Sequence, residues 1–263
     1  MSPAELIALC ALFFATSVIG VVTGSNSLIT VPAMFLFGID ARVAVATNMF
    51  GLTFMSVGGA LPFLGKGTID RRRLPLLVAL TLAGSLAGAL LVLVVSSRAM
   101  PLIISIAMLA VAAFSVMTRN ARAVSTDGAG GRAATTSAGE WTAYALTFAL
   151  GIYGGFYSGG YVTLLTAVFV ALFRMSFVEA VATTKIINVF SSLVATLVFM
   201  WHGLVDYRLG LILAVFMFVG AFVGARVALR LDERWLRRIF LATVVALALK
   251  ILLYDFLWKG LLK

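Results

Sequence analysis

Long apolar segments alternate with short polar stretches along most of the chain. Several of these segments run about 20 residues with few charges, which is enough to cross a hydrocarbon core of ~30 Å. The pattern therefore predicts an all-α polytopic membrane protein. Its apolar segments fall at 4–23, 28–38, 42–64, 74–97, 100–118, 141–157, 161–173, 177–201, 209–229 and 236–257.

The pattern also predicts that each half of the chain begins with a broken helix. As one helix, residues 3–38 would be ~54 Å long at 1.5 Å per residue, nearly twice the core thickness. Gly and Ser interrupt this stretch at 24–27 and interrupt the stretch 141–173 at 157–161. We expect each broken element to be re-entrant, returning to its own side, and to be followed by three ordinary spans. That makes about eight transmembrane segments in all.

The two halves match each other at a fixed offset of 136 residues. The sequence Ala-Val-Ala-Thr at 44–47 recurs at 180–183, and Asp70 and Gly84 recur as Asp206 and Gly220. A duplicated helical bundle is typical of secondary transporters, whose substrate lies where the halves meet. We divide the chain into a first transmembrane repeat at 1–118, a flexible cytoplasmic linker at 119–140 and a second repeat at 141–263.

The distribution of basic residues favours inverted over parallel repeats. If each half makes three crossings, 12 of the 17 Lys and Arg residues outside the spans share one side and five share the other. Parallel repeats would divide them 10 to 7. The first division fits the positive-inside rule better. We therefore expect inverted repeats with both termini outside, in the bacterial cytoplasmic (inner) membrane.

Composition excludes several classes of function. Apolar residues make up 62% of the chain, and its net charge of +10 comes from basic residues at span ends, which indicates topology and anionic headgroups rather than nucleic acid. Cys10 and His202 are the only Cys and His, so neither an internal disulfide nor a thiolate or imidazole metal site is available. We expect no metal and no cofactor. Glu5, with no basic region before the first apolar run, argues against a signal peptide.

The two breaks are the first candidate binding site. Interrupted helices leave free N–H groups and positive dipole ends at membrane depth, which suits a small anion. The candidate contacts are Ser25, Asn26 and Ser27 at the first break, and Tyr157, Ser158, Gly159 and Gly160 at the second. Alternatively, Ser25, Asn26 and Ser158 cap helices. The tyrosines at 153, 157 and 161 either shape the cavity or pack beside it.

Lys185 is the second candidate, because it lies about eight residues into its span, roughly 12 Å deep. A buried ammonium is costly and usually functional. Asn188 follows on the same helix face, and Thr47 and Asn48 supply polarity from the first repeat. The alternative for Lys185 is a structural salt bridge, for example with Glu179. Because burial disfavours the charged form, Lys185 could also exchange protons and couple transport to a proton gradient.

The chain resembles the sulfite exporter TauE/SafE family, also called the toluenesulfonate uptake permease family. The resemblance rests on GVVTGSNSLITVP (20–32) and VAVATN (43–48), and on GIYGGFYSGGYVTLL (151–165) and AVATTK (180–185). The family pattern usually has a run of glycines where this chain has Ser-Asn-Ser at 25–27. The resemblance implies transport of sulfur-containing or organic anions, such as sulfite, sulfonates or related carboxylates, without ATP hydrolysis.

The sequence thus favours a secondary transporter that moves a small anion across the lipid bilayer by alternating access, with the proton as a possible coupling ion. A passive anion channel is the alternative, since the same breaks could line a leak pathway. An enzyme is disfavoured, because the chain offers no nucleophile, base or metal cluster. No Walker-type Gly-rich Lys-Ser/Thr loop supports an ATP-driven pump. The anion, the direction of transport and the oligomeric state stay open.

Overall fold

The computed structural model describes residues 2–24, 26–64, 69–107 and 137–232, together with Trp235 and Arg238. Within these residues every regular element is a helix, as the apolar pattern predicts. A 3₁₀ turn follows the third helix, and residues 100–107 are also helical. The helices are α1 Pro3–Thr23, α2 Ser27–Leu36, α3 Ala41–Ala60, α4 Leu74–Val94, α5 Ser137–Phe156, α6 Tyr161–Leu172, α7 Phe177–Trp201 and α8 Tyr207–Ala228.

Five of the described helices are long and apolar enough to cross a membrane: α1, α3 with its 3₁₀ turn, α4, α7 and α8. The two shorter apolar helices, α2 and α6, have 10 and 12 residues, about 15 and 18 Å at 1.5 Å per residue. Helix α5 begins at Ser137, so the last four residues assigned to the linker are helical. The rest of the linker, the second half of the predicted span at 100–118 and nearly all of the span at 236–257 lie outside the described residues.

Both predicted breaks interrupt helices, and glycine makes each one possible. Helix α1 ends at Gly24, whose φ of 70° is left-handed, and its N–H closes on the carbonyl of Gly20. Gly160 at the second break has a φ of 80° and precedes α6. Residues with a Cβ rarely adopt this conformation. The break therefore follows from residue type and not from polarity alone.

The end of each short helix lies near the start of the long helix that precedes it: α2 ends near the start of α1, and α6 ends near the start of α5. At one end, Ser2 and Leu6 of the α1 start line a cavity together with Phe37, which directly follows α2. At another end, Glu140 in the first turn of α5 pairs with Arg73, which precedes α4. The guanidinium of Arg73 also lies 5.0 Å from the ring centre of Phe173, just after α6.

Glycines let the helices of one half pack closely on those of the other. Helix α5 packs along α4 and α1 packs along α8, two contacts that the offset of 136 residues relates to each other. A Cβ on Gly88 of α4 would collide with the backbone of Ile152, and one on Gly224 of α8 would collide with the backbone of Val18. Lipid offers no hydrophobic drive between helices, so this close backbone contact holds the bundle together.

Candidate functional site

The two breaks lie against each other in the interior of the bundle. The hydroxyl of Thr163, in the first turn of α6, donates to the carbonyl of Thr23 at the end of α1 (2.5 Å). The hydroxyl of Tyr157 donates to the carbonyl of Ser27 at the start of α2 (3.0 Å). A Cβ on Gly24 would lie 2.7 Å from the backbone nitrogen of Thr163. Sequence spacing alone did not establish this contact between residues 140 positions apart.

A small cavity of about 10 Å³, room for roughly one water molecule, lies between the breaks. Five of the predicted contacts line it, and all five are buried. Gly20, Gly24, Leu52, Met55 and Val162 complete the lining. The predicted contacts at the cavity are Asn26, Ser27, Ser158, Lys185 and Asn188.

Lys185 brings its amino group into this cavity. Its side chain is only 2% exposed, and Nζ donates to the carbonyl of Gly20 in the last turn of α1 (3.2 Å). The carboxyl end of a helix carries partial negative charge, so this position favours a cation. The suggested salt bridge with Glu179 is wrong: Glu179 instead forms a capping box with Ser176 at the start of α7. No carboxylate within the described residues pairs with Lys185.

Asn188 lies beside Lys185 and joins α7 to α3. Its Nδ2 donates to the hydroxyl of Ser56 (2.5 Å), a residue that sequence reasoning left out of the site. The carbonyl oxygen of Asn188 accepts from Ser192, one turn further along α7. Ser56 and Ser192 occupy equivalent positions in the two halves. This internal match is the sequence feature from which Ser56 could have been predicted as a site residue.

The amide of Asn26 completes the polar lining at the first break. Asn26 is 3% exposed, and its Nδ2 lies 3.2 Å from the sulfur of Met55. Its Oδ1 is buried and has no hydrogen-bond partner within the described residues. Because an unpaired buried amide oxygen is costly, this group is available to a bound molecule.

Side-chain capping does not account for the polar residues that the structure describes at the breaks. Asn26 is the N-cap of α2 but makes no side-chain cap hydrogen bond. Gly160 is the N-cap of α6, which therefore has no side-chain cap either. The capping interpretation is thus wrong for Asn26 and Ser158, while Ser25 lies outside the described residues.

Asn48 lies one layer behind the cavity. Its Nδ2 donates to the hydroxyl of Ser27 (2.9 Å), and its Oδ1 accepts from the hydroxyl of Thr30 (2.8 Å). These two bonds hold α2 against α3. Asn48 therefore positions the first break and does not line the cavity.

Thr47 points away from the cavity, contrary to the expectation that it would face the site. Its hydroxyl accepts from the backbone N–H of Asp206, just before α8 (3.0 Å). Thr183, its equivalent in the second half, accepts from the N–H of Asp70, just before α4 (3.5 Å). The recurring Ala-Val-Ala-Thr motif thus joins the first half to the loop before α8 and the second half to the loop before α4.

The aromatic and glycine residues of the second break brace it. Tyr153 donates to the carbonyl of Gly159, and a Cβ on Gly159 would meet the ring of Tyr157. Gly160 supplies the left-handed turn before α6. Tyr157, Gly159 and Gly160 therefore shape the break, and among these four predicted residues of the second break Ser158 lines the cavity.

The sequence that forms these two packed breaks matches a known family over nearly its whole length. The family described as "Sulfite exporter TauE/SafE" matches residues 8–251. This chain belongs to the TauE/SafE family. The resemblance seen in the sequence is thereby confirmed. No solved structure matches the chain significantly.

Curated relatives of this TauE/SafE chain are all described as membrane transporters. "Probable membrane transporter protein ORF9" of Sinorhizobium sp is 26% identical, over 91% of this chain and 89% of that protein. "Probable membrane transporter protein YfcA" of Escherichia coli (strain K12) is 26% identical, over 93% and 89%. A "Probable membrane transporter protein" of Haemophilus influenzae is 23% identical, over 93% of each. Together with the five apolar helices, they support a multi-pass membrane transporter rather than an enzyme.

Proposed function

We propose that this TauE/SafE protein is a secondary transporter that moves a small sulfur-containing or organic anion, such as sulfite or a sulfonate, across the cytoplasmic membrane. The observation that carries the proposal is Lys185, a fully buried ammonium at the cavity between the two breaks. An isolated buried charge costs several kcal/mol unless a partner compensates for it. A bound anion would supply that compensation.

The other groups at the cavity suit the same ligand. Asn26, Ser27, Ser158 and Asn188 bring amide and hydroxyl groups that can donate to anion oxygens. The first turns of α2 and α6 begin at this cavity, and helix N-termini favour negative charge. In transporters, broken helices present such N-termini to anionic substrates near the midplane.

We further propose that the two halves are inverted repeats. Support comes from the two ends of α4. Arg73, just before α4, pairs with Glu140 in the first turn of α5. The carbonyl of Val95, just after α4, accepts a hydrogen bond from Arg42 at the start of α3. Helix α3 begins just after α2 ends, and the end of α2 lies beside the start of α1. The start of α1 is therefore near the end of α4, and the start of α5 is near the start of α4. Helices α1 and α5 would thus begin on opposite sides of the membrane. Five arginines (Arg71, Arg72, Arg73, Arg174 and Arg230) would then lie on the side of α5. The opposite side would carry Arg42, Arg98 and Arg208, so the side of α5 would be cytoplasmic.

The small cavity supports alternating access over a passive channel. It has room for about one water molecule, so a sulfite-sized anion cannot pass through this conformation without opening it. The hydrogen bonds Thr163–Thr23 and Tyr157–Ser27 join the two breaks directly. A pathway that opens to one side at a time would separate or shift these contacts in turn.

The test is uptake of labelled sulfite and of a small sulfonate into proteoliposomes, with and without an imposed pH gradient. A secondary transporter gives saturable flux that unlabelled anion inside the vesicle accelerates. Linear flux with no such acceleration would favour the channel. No flux of either anion, from protein that runs as a folded species in detergent, would contradict the proposed substrate class.

A further inference from the structure

A second group of buried polar side chains lies at the start of α6, outside the lining of the Lys185 cavity. It consists of Thr81 and Ser85 of α4, Tyr161 of α6 and Ser191 of α7, and we call it the hydroxyl cluster. Each of these side chains is at most 2% exposed. The hydroxyls of Ser85 and Ser191 lie 2.5 Å apart, and that of Ser85 donates to the carbonyl of Gly151 in α5 (3.3 Å).

Two hydroxyls of this cluster have no hydrogen-bond partner within the described residues. They are Oγ1 of Thr81 and the phenolic oxygen of Tyr161, and both are fully buried. The Tyr161 hydroxyl lies near the hydroxyls of Thr81 and Ser191, but the distance and angles to neither of them are those of a hydrogen bond. Unpaired buried hydroxyls are costly, so each such group calls for an explanation.

Buried threonines elsewhere in the bundle satisfy their hydroxyls within their own helix. Thr147 donates to the carbonyl of Ala143 (2.7 Å), and Thr166 donates to that of Val162 (2.8 Å). Thr81 makes no such bond, although its place within α4 offers the same carbonyl one turn earlier. Its hydroxyl is therefore not satisfied within its own helix and is directed to the Tyr161 side of α4.

The fold itself does not require hydroxyls at three of these four positions. The offset of 136 residues relates Thr81, Ser85 and Ser191 to Met217, Ala221 and Met55, which pack in the other half without a hydroxyl. Lys185 is a further asymmetry between the halves, because its equivalent is Met49. Two equivalent regions of a duplicated scaffold thus carry different chemistry, an ammonium at one and neutral oxygens at the other.

The chemistry of the cluster fits a small cation. It offers four hydroxyl oxygens and one backbone carbonyl oxygen, and oxygen ligands suit hard cations. Gly151 lies near the carboxyl end of α5, and such half-helix ends favour positive charge. No described carboxylate belongs to the cluster, whereas Ca²⁺ and Mg²⁺ sites use carboxylates. A monovalent cation is therefore the better match.

We propose that the hydroxyl cluster binds a small monovalent cation, represented by Na⁺, and that this cation is a coupling ion of transport. The second clause rests on the proposed transport function, and the first does not. None of the four side chains lines the Lys185 cavity. Ser191 follows Lys185 by six residues, which turns it to a different face of α7. Anion and cation would thus bind on different faces of one helix.

Cation binding is tested on the purified protein without any anion substrate. The apparent melting temperature is measured against Na⁺ concentration, with choline replacing Na⁺ at constant ionic strength, and binding of radioactive Na⁺ is measured in parallel. We expect a saturable, Na⁺-specific rise in melting temperature. Thr81→Val and Tyr161→Phe, which each remove one ligand, should weaken Na⁺ binding about tenfold or more. Thr147→Val is the matched control and should bind Na⁺ as the wild type does.

Two results would overturn the proposal. The first is a wild-type protein that responds equally to Na⁺ and choline and binds no radioactive Na⁺, which would assign the cluster to water. The second is Na⁺ binding that survives in both variants. If a variant fails to fold, Ser191→Ala and the wild-type measurement still decide the question. A wild-type protein that binds Na⁺ but shows no anion flux would count against the transport proposal alone.

Discussion

The ammonium of Lys185 in α7 donates to the backbone carbonyl of Gly20 in α1, across 3.2 Å and 165 residues of sequence. Gly20 has no side chain to screen this carbonyl, which also accepts the N–H of Gly24 at the end of α1. The lysine thus contacts the carboxyl end of a helix that ends in the interior of the bundle. An anion that enters the cavity would compete with this carbonyl for the ammonium.

Lys185→Met should abolish saturable anion flux while leaving the protein at least as stable as the wild type. Methionine occupies the equivalent position 49 of the first half, so α7 has a precedent for this side chain. Loss of a charged hydrogen bond to the substrate costs ~3 kcal/mol, or about 100-fold in kcat/KM. Removing a buried charge without an ionic partner lowers the cost of folding. Proteoliposome flux and thermal unfolding in detergent check the two halves of this prediction.

Thr184→Val is the matched control for Lys185→Met. Thr184 is the adjacent residue on α7, fully buried, with its hydroxyl bonded to the carbonyl of Val181 in its own helix. It should keep wild-type flux. Wild-type kinetics in Lys185→Met, or a large loss of stability with it, would assign the lysine a structural role.

The breaks and Lys185 could be predicted from the sequence because each violates a strong local rule. An apolar stretch too long for the membrane must end somewhere, and Gly24 and Gly160 mark where. A lysine deep in a span is equally conspicuous. The packing of one break on the other could not be predicted, because it depends on how four helices from two halves come together.

Gly24→Ala should destabilise the protein far more than Gly203→Ala. Both glycines have a left-handed φ, 70° and 65°, so each substitution carries a strain of ~1–2 kcal/mol. A Cβ at Gly203 would meet nothing within 4 Å, whereas one at Gly24 would lie 2.7 Å from the backbone of Thr163. Overpacking adds roughly 1–3 kcal/mol or more at Gly24.

Thermal unfolding of both glycine variants in the same detergent separates strain from crowding. The difference between the variants measures how tightly the two breaks pack. Equal melting temperatures would show that the break at Gly24 has room for a methyl group, and would remove the argument that the two breaks are locked together.

Asn188→Leu should raise KM for the anion about tenfold and cost only ~1 kcal/mol of stability, for its single hydrogen bond to Ser56. Leu52 occupies the equivalent position of the first half, and the change removes one amide donor from the cavity. Asn48→Leu should show the reverse pattern: it leaves Ser27 and Thr30 without their partner and costs ~2–3 kcal/mol of stability. Kinetics and thermal unfolding of both variants check the contrast. A larger stability loss at position 188 than at 48 would contradict it.

Thr47 shows that a helical pattern does not predict which neighbouring element a buried polar residue contacts. It neighbours Asn48 in the sequence, and both are polar residues deep in α3. Adjacent helix positions are about 100° apart, so Asn48 reaches α2 while Thr47 reaches the loop before α8. The partner of each face becomes known only when the neighbouring helices are placed.

Thr47→Val should therefore lower stability and not act on substrate affinity. Valine keeps the shape of the side chain but leaves the N–H of Asp206 without its acceptor, at a cost of ~1–2 kcal/mol. Thr183→Val should cost less, because the equivalent bond to Asp70 is longer, 3.5 Å against 3.0 Å. Thermal unfolding ranks the two variants, and their KM for the anion should match the wild type. A raised KM in Thr47→Val with unchanged stability would return Thr47 to the binding site and displace the loop contact as its role.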